Sequence, residues 1–182
     1  AAQLDHYVQE LPALLGTLIF GEQDTSIEQS MGVLLRQKGY TLATAESCTG
    51  GNIAHRLTSV SGSSAYFEGS VVAYSNSVKQ HTLGVQEATL KEHGAVSEAV
   101  VLEMSKGVQQ LLKTDCAIAV SGVAGPTGGS PEKPVGTIWL ALRVKDQVYT
   151  KKLKLGKDRL QNNERTTIAL NLLRLFILNA LK

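Results

Sequence analysis

From residue 40 onward, short apolar strand patterns alternate with helical ones, and no other feature of the sequence constrains the fold as much. Residues 40–45 (YTLATA), 70–74 (SVVAY) and 115–123 (DCAIAVSGV) read as strands, and the last is continuous in apolar character, as a buried strand is. Helices are expected over 50–60, 76–83, 86–93 and 97–112, the last two split by Gly94-Ala95. Residues 61–64 (SGSS) read as a loop. Strands separated by helices predict an α/β fold, a three-layer α/β/α sandwich. Residues 135–144 and 147–155 read as a hairpin across Lys145-Asp146, which makes the sheet mixed and mostly parallel. The chain closes with one long helix expected over 158–181, its apolar stripe running through Ile168, Leu172, Leu175, Phe176 and Leu178.

Ahead of this alternation stand two helical patterns. Residues 26–38 form one, with Asp24, Thr25 or Ser26 as N-cap and Gly39 as the stop. Residues 4–19 form the other, through Leu4, Tyr7, Val8, Leu11, Leu14, Leu15, Leu18 and Ile19, with Pro12 placed to kink it. This first segment reads as a connector from an upstream region, so the chain divides into residues 1–23 and 24–182. The absence of an initiator Met fits a piece of a longer protein. At 182 residues and 43% apolar content, one packed domain plus an appendage is the expectation.

Several classes drop out on composition. The net charge of +2 is too small to point to nucleic acid or an anionic membrane. No run of 18 apolar residues is present, and the N-terminus lacks the order of a secretory signal. Cys48 and Cys116 sit in different contexts and make no disulfide framework, and four scattered His give no zinc spacing. A reducing cytoplasm is the expected compartment.

Four constellations carry chemistry. Thr44-Ala45-Glu46-Ser47-Cys48-Thr49-Gly50-Gly51 lies where a buried strand meets a helix start. Unpaired N–H groups there, with two glycines admitting a close approach, favour an anion or a forming oxyanion beside the Ser47 hydroxyl. The amides near Thr49 and Gly50 are the expected donors. Equally, Ser47 or Thr49 could simply cap the helix while Gly50-Gly51 eases packing. Cys48 competes as nucleophile, since a thiol at a helix N-terminus should have a lowered pKa, yet no His lies beside it. A small buried side chain is the blander reading for Cys48 and for Cys116.

The second constellation places Tyr74 at a strand end and Lys79 about one turn into the next element. A lysine serves as base for a serine only when neutral, and an ordinary one is neutral about once in 2,500 at pH 7. Partial burial and a nearby cation can remove most of that handicap, and Tyr74 could hold the amine or relay a proton. Third, Ser121 and Gly122 open a stretch, 121–136, that gathers Pro126, Pro131 and Pro134 and five glycines at the end of a buried strand. Open α/β sheets collect ligands at that edge, so this loop is read as a binding loop for a phosphate or ribose. Fourth, Lys151, Lys152 and Lys154 read as a solvated strand face. Arg159, by contrast, follows a glycine turn at a helix start, where a guanidinium can clamp a phosphate. Base stacking has no interleaved aromatics to support it.

Together these stretches resemble the CinA C-terminal domain family, whose enzyme members are nicotinamide-nucleotide amidases. The resemblance rests on TAESCTGG, HRLTSVSGSSAYFEGSVVAYSNSVK, GAVSE, SGVAGPTGGSPEKPVGTIW and GKDR, and covers about residues 26–182. LPALLGTLIFGEQDTS is similar to the linker that follows an upstream nucleotide-binding domain in full-length members. The resemblance implies hydrolysis of nicotinamide mononucleotide to nicotinate mononucleotide and ammonia, a step of pyridine nucleotide recycling. It implies Ser47 as nucleophile, Lys79 as base and Tyr74 as assistant. It places Glu46, Thr49, Gly50, Gly51, Ser121, Gly122 and Arg159 around the substrate, with Glu46 as an orienting group. No cofactor and no metal are implied. The partners expected are the small-molecule substrate, the upstream domain and a second copy in a homo-oligomeric dimer, with neither membrane nor nucleic acid. Lys157 departs from the family, which often has a small or acidic residue there. A catalytically silent nucleotide-binding or regulatory module would use the same loops. The Ser47–Lys79 separation decides between the two: hydrogen-bond reach favours catalysis, and more than about 7 Å, too far for one bridging water, favours the silent module. A helical interaction domain is a third alternative, resting on residues 4–19 alone.

Overall fold

A computed structural model describes residues 8, 10, 11, 13–16, 19–21 and 24–181. Expectations for Leu4, Tyr7 and Leu18, and for a kink at Pro12, lie outside the described residues. Residues 8, 10, 11 and 13–15 are helical. Helix α1 (Ile27–Lys38) starts at Ser26, whose hydroxyl accepts from the Gln29 amide while the Gln29 side chain accepts from the Ser26 amide. It stops at Gly39, where φ of 64° makes glycine the inexpensive choice.

Strand β1 (Leu42–Glu46) leads to α2 (Asn52–Thr58), β2 (Phe67–Val72), α3 (Asn76–His81), α4 (Glu87–His93), α5 (Glu98–Leu112) and β3 (Cys116–Gly122). Strands β4 (Thr137–Val144) and β5 (Gln147–Lys154) then form the hairpin, followed by α6 (Arg159–Arg165) and α7 (Ile168–Ile177). Sheet order is β2-β1-β3-β4-β5. β1 pairs in parallel with β2 and β3, while β4 runs antiparallel to both neighbours. Four of the five strands therefore point the same way, the mixed and mostly parallel sheet expected.

Alternation along the strands builds two unlike faces. Leu42, Ile118, Val120, Ile138, Leu140 and Leu142 pack beneath α1, α2 and α7 with Met31, Leu35, Ile53, Leu57, Leu170 and Leu173. The opposite face carries Ala43, Ala45, Ala117, Ala119 and Ala141 beneath Val100, Val101, Met104 and Val108 of α5. Alanines bring α5 close to the sheet, and Val71 and Trp139 are the larger sheet residues packed against that layer among the described residues.

Most element ends shift by one to three residues from expectation, and three differences go further. β2 ends at Val72 because its partner β1 ends at Glu46, the last pair of the register, so Tyr74 lies past the strand in the following loop. Residues 63–65 form a single 3-10 turn where a loop was expected. The final helix is broken. The Thr166 hydroxyl donates to the Asn162 carbonyl (2.6 Å) and that of Thr167 to Glu164 (2.5 Å), while Ala169 and Leu170 donate only three residues back. Two adjacent β-branched hydroxyls bonding their own backbone tighten the chain and turn α7 onto the sheet.

Candidate active site

The carboxyl ends of β1, β2 and β3 open on one edge, and a cavity of about 280 Å³ lies there. Ser47, the first residue beyond β1, is tied to β3 by its amide, which donates to the Val120 carbonyl (3.0 Å). Its side chain borders the cavity. Lys79 reaches the same point from α3. Ser75 caps that helix, its hydroxyl accepting from the Val78 amide, and this turns Lys79 inward. Lys79 is only 1% exposed. Its Nζ donates to the Ala73 carbonyl (2.7 Å) and to Ser47 Oγ (3.1 Å), and no ion pair among the described residues includes it.

Desolvation of an ammonium without a counter-ion pushes the Lys79 pKa below its ordinary value, and the neighbouring Cys48 opposes the shift. Deprotonated, the amine has two N–H groups and one lone pair. One N–H stays on Ala73, and the lone pair accepts the Ser47 hydroxyl proton. The 3.1 Å separation lies inside hydrogen-bond reach and far below the 7 Å of a silent arrangement.

Tyr74 does not hold the amine. It is 61% exposed at the rim, and its hydroxyl accepts from Arg159 Nη1 at 3.5 Å. The backbone carbonyl of Ala73 performs the holding, a contact no side-chain reading could reveal. Arg159 stands across the cavity at the start of α6, where Asp158 caps the helix by accepting from the Gln161 amide (2.8 Å). Ser121 borders the cavity too, buried, with its hydroxyl donating to the Ala95 carbonyl (2.7 Å). That bond brings Ala95 and Val96 in as an apolar wall beside Gly122. GAVSE thereby becomes part of the site. The residue spacing had shown it only as the break between two helices.

The N-terminus of α2 is not an anion cradle. Neither Ser47 nor Thr49 caps it. Glu46 Oε2 accepts from the Ile53 amide (3.0 Å) and Oε1 from Ala54 (2.8 Å) and the Thr44 hydroxyl (3.2 Å). A fully buried carboxylate already neutralises that helix end, so Glu46 orients the serine turn from behind. Thr49, Gly50 and Gly51 lie on that same turn outside the cavity lining, and the Gly50 amide is spent on the Ser47 carbonyl (3.1 Å). Gly51, at φ 100°, makes the bend that carries the chain into α2. Among the described residues the Cys48 and Thr49 amides donate to no backbone carbonyl, and the Cys48 N–H, which lies against its own thiol beside the nucleophile, is the better oxyanion donor. Glu46→Ala is expected to cost roughly 3 kcal/mol of stability, because a buried amide and a half-buried one lose their acceptor. Urea unfolding of the variant measures it.

The Cys48 thiol is pushed up to about 12 by burial, with its own backbone amide opposing the rise, Glu46 adding to it, and Lys79 and Arg159 opposing it. This reverses the lowered pKa expected of a thiol at a helix start, and it keeps Cys48 protonated and poorly nucleophilic. Cys48→Ala is expected to retain more than about a third of wild-type turnover in any assay of the site, since the change removes only a core contact.

A model of the CinA C-terminal domain family matches residues 24–177. A CinA-like protein of Salinibacter ruber is 47% identical over 163 residues, 90% of this chain and 40% of that protein. The chain thus spans about two fifths of the length of such curated relatives. Among solved structures, a CinA superfamily protein from Klebsiella pneumoniae 700603 superposes with a TM-score of 0.80 at 35% identity, over 85% of this chain and 99% of that one. A competence damage-inducible protein A from Klebsiella pneumoniae MGH 78578 gives 0.81 at 36%, over 86% and 97%. No helix among the described residues is long and apolar enough to cross a membrane.

Proposed function

The chain belongs to the CinA C-terminal domain family, and from that premise we propose that it is a serine–lysine amidohydrolase that converts nicotinamide mononucleotide to nicotinate mononucleotide and ammonia. The observation that carries the reading is the buried Lys79 amine, 3.1 Å from Ser47 Oγ and in no ion pair among the described residues. A serine beside a lysine that sheds its proton below the ordinary lysine range is an activated nucleophile.

In the proposed sequence, neutral Lys79 takes the Ser47 proton as Oγ attacks the carboxamide carbon. The Cys48 amide receives the oxyanion. Protonated Lys79 then donates to the departing nitrogen, and ammonia leaves an acyl-Ser47 ester. Water, deprotonated by the same amine, hydrolyses the ester and restores the serine. Throughout, the Ala73 carbonyl keeps Nζ on station, which matters because misplacement by 1 Å costs orders of magnitude in rate. Arg159, a permanent cation on the far wall, is the group for the substrate phosphate, and Tyr74 steadies its guanidinium.

The deciding measurement is ammonia release from nicotinamide mononucleotide by the purified protein, against a Ser47→Ala background. No release from wild type would remove the amidase reading. Arg159→Ala is expected to raise KM about tenfold or more while changing kcat less than threefold, because a phosphate contact is equal in ground and transition states. Steady-state kinetics check this, and a loss confined to kcat would move the phosphate elsewhere.

A further inference from the structure

Arg159 sits on a seven-residue helix, too short to hold its own position. What fixes it is visible one turn on. Asn162 is fully buried, and its Nδ2 donates to two backbone carbonyls, Ala124 (2.9 Å) and Gly156 (2.9 Å). Ala124 belongs to the loop after β3 and borders the cavity. Gly156 belongs to the segment that enters α6 and precedes Arg159 by three residues. One side-chain amide thus joins both limbs of the wall on which Arg159 stands.

The junction has no slack. A Cβ at Gly125 would come within 2.9 Å of the Lys157 carbonyl oxygen, and one at Gly136 within 2.5 Å of that of Gly156. Backbone meets backbone here, and the Asn162 amide supplies the donors between the limbs. The residue type is dictated by that geometry. Both partners are acceptors, so the side chain must present N–H groups, and its orientation is fixed because an oxygen there would face two carbonyls. Its Oδ1 has no donor among the described residues, so the two Nδ2 bonds are the whole of its side-chain pairing. Arg159 itself is exposed, and among the described residues its guanidinium hydrogen-bonds Tyr74.

We propose that Asn162 is a positioning residue for substrate recognition: by tying the loop after β3 to the entry of α6 it sets the distance between the Arg159 guanidinium and the Ser47–Lys79 pair. It thereby gives the site its preference for a substrate carrying a phosphate. The inference rests on the reading that Arg159 receives that phosphate.

The test compares nicotinamide mononucleotide with nicotinamide riboside, which lacks the phosphate, for the wild type, Asn162→Ala, the near-isosteric Asn162→Asp, Arg159→Ala and the Arg159→Ala/Asn162→Ala double variant. The ratio of kcat/KM for nucleotide over nucleoside is expected to fall about tenfold in each Asn162 variant, through KM for the nucleotide. The double variant is expected to show a ratio no lower than Arg159→Ala alone, because the two residues act through one contact. Calorimetric Kd values for nicotinate mononucleotide and nicotinate riboside should follow the same pattern and decide the matter even in a protein without turnover. An equal loss on both ligands, or an additive double variant, would overturn the positioning role. A normal ratio in Arg159→Ala would instead overturn the phosphate reading beneath it. Asn162→Asp keeps the volume but turns an oxygen on the Ala124 and Gly156 carbonyls, so urea unfolding of each variant is run beside the ratio: loss of fold lowers both substrates alike, whereas loss of the tie lowers the nucleotide alone.

Discussion

Ser47→Ala is expected to lower ammonia release from nicotinamide mononucleotide by roughly 10³-fold or more, with the fold intact. The variant loses the only oxygen that Lys79 holds for attack, and the neighbouring thiol cannot replace it while burial keeps its pKa near 12. Stability should change by about 1 kcal/mol at most, the worth of one hydrogen bond. Helix α2 does not depend on Ser47, since Glu46 supplies its N-terminal acceptors. Turnover assays beside urea unfolding separate the two effects. A Ser47→Ala protein of near-normal turnover, with Cys48→Ala inactive, would transfer the nucleophile to the thiol.

Replacing Lys79 is expected to have an effect of similar size. Lys79→Arg keeps a charge that cannot be shed at working pH, and Lys79→Met keeps the volume without the base. Both should lose about 10²–10⁴-fold in turnover. Wild-type activity should rise with pH through a limb lying below the ordinary lysine range, because burial favours the neutral amine. The same shift has a consequence for stability. The folded-state pKa lies below the unfolded one, so between the two values the unfolded chain binds more protons, and stability rises with pH across that window. Lys79→Met should flatten that rise and be more stable than wild type at neutral pH, where the native state no longer has to bury a proton-binding amine. Urea midpoints measured against pH read this out. A Lys79→Arg variant with near-normal turnover would remove lysine from the mechanism.

Much of the site was legible in the residues because strand exits are written locally. TAESCTGG and SGVAGPTGG each end an apolar run in small and hydroxyl residues, and the fold brings Ser47, Ser121 and Gly122 to one edge. Arg159 was legible for a similar reason, as a cation at a helix start after a glycine turn. Glu46 was harder. Its carboxylate reaches backbone amides seven and eight residues ahead, and that partnership depends on how tightly the Gly50-Gly51 bend returns the chain. Tyr74 was drawn to the amine by its nearness in sequence, but a chain leaving β2 points successive side chains in opposite directions. The carbonyl one residue earlier faces Lys79.

By itself the sequence determined the alternation of elements and the identity of the groups able to do chemistry, because each is fixed by periodicity or by side-chain type within a short span. Only the tertiary structure decided which groups meet. Lys79 is an ordinary surface lysine by its neighbours along the chain. It becomes a base because α3 turns it inward, where burial strips its water and the Ala73 carbonyl and Ser47 hydroxyl stand in place of a counter-ion. Proton affinity is a property of surroundings, and the surroundings of Lys79 come from segments 6 and 32 residues away.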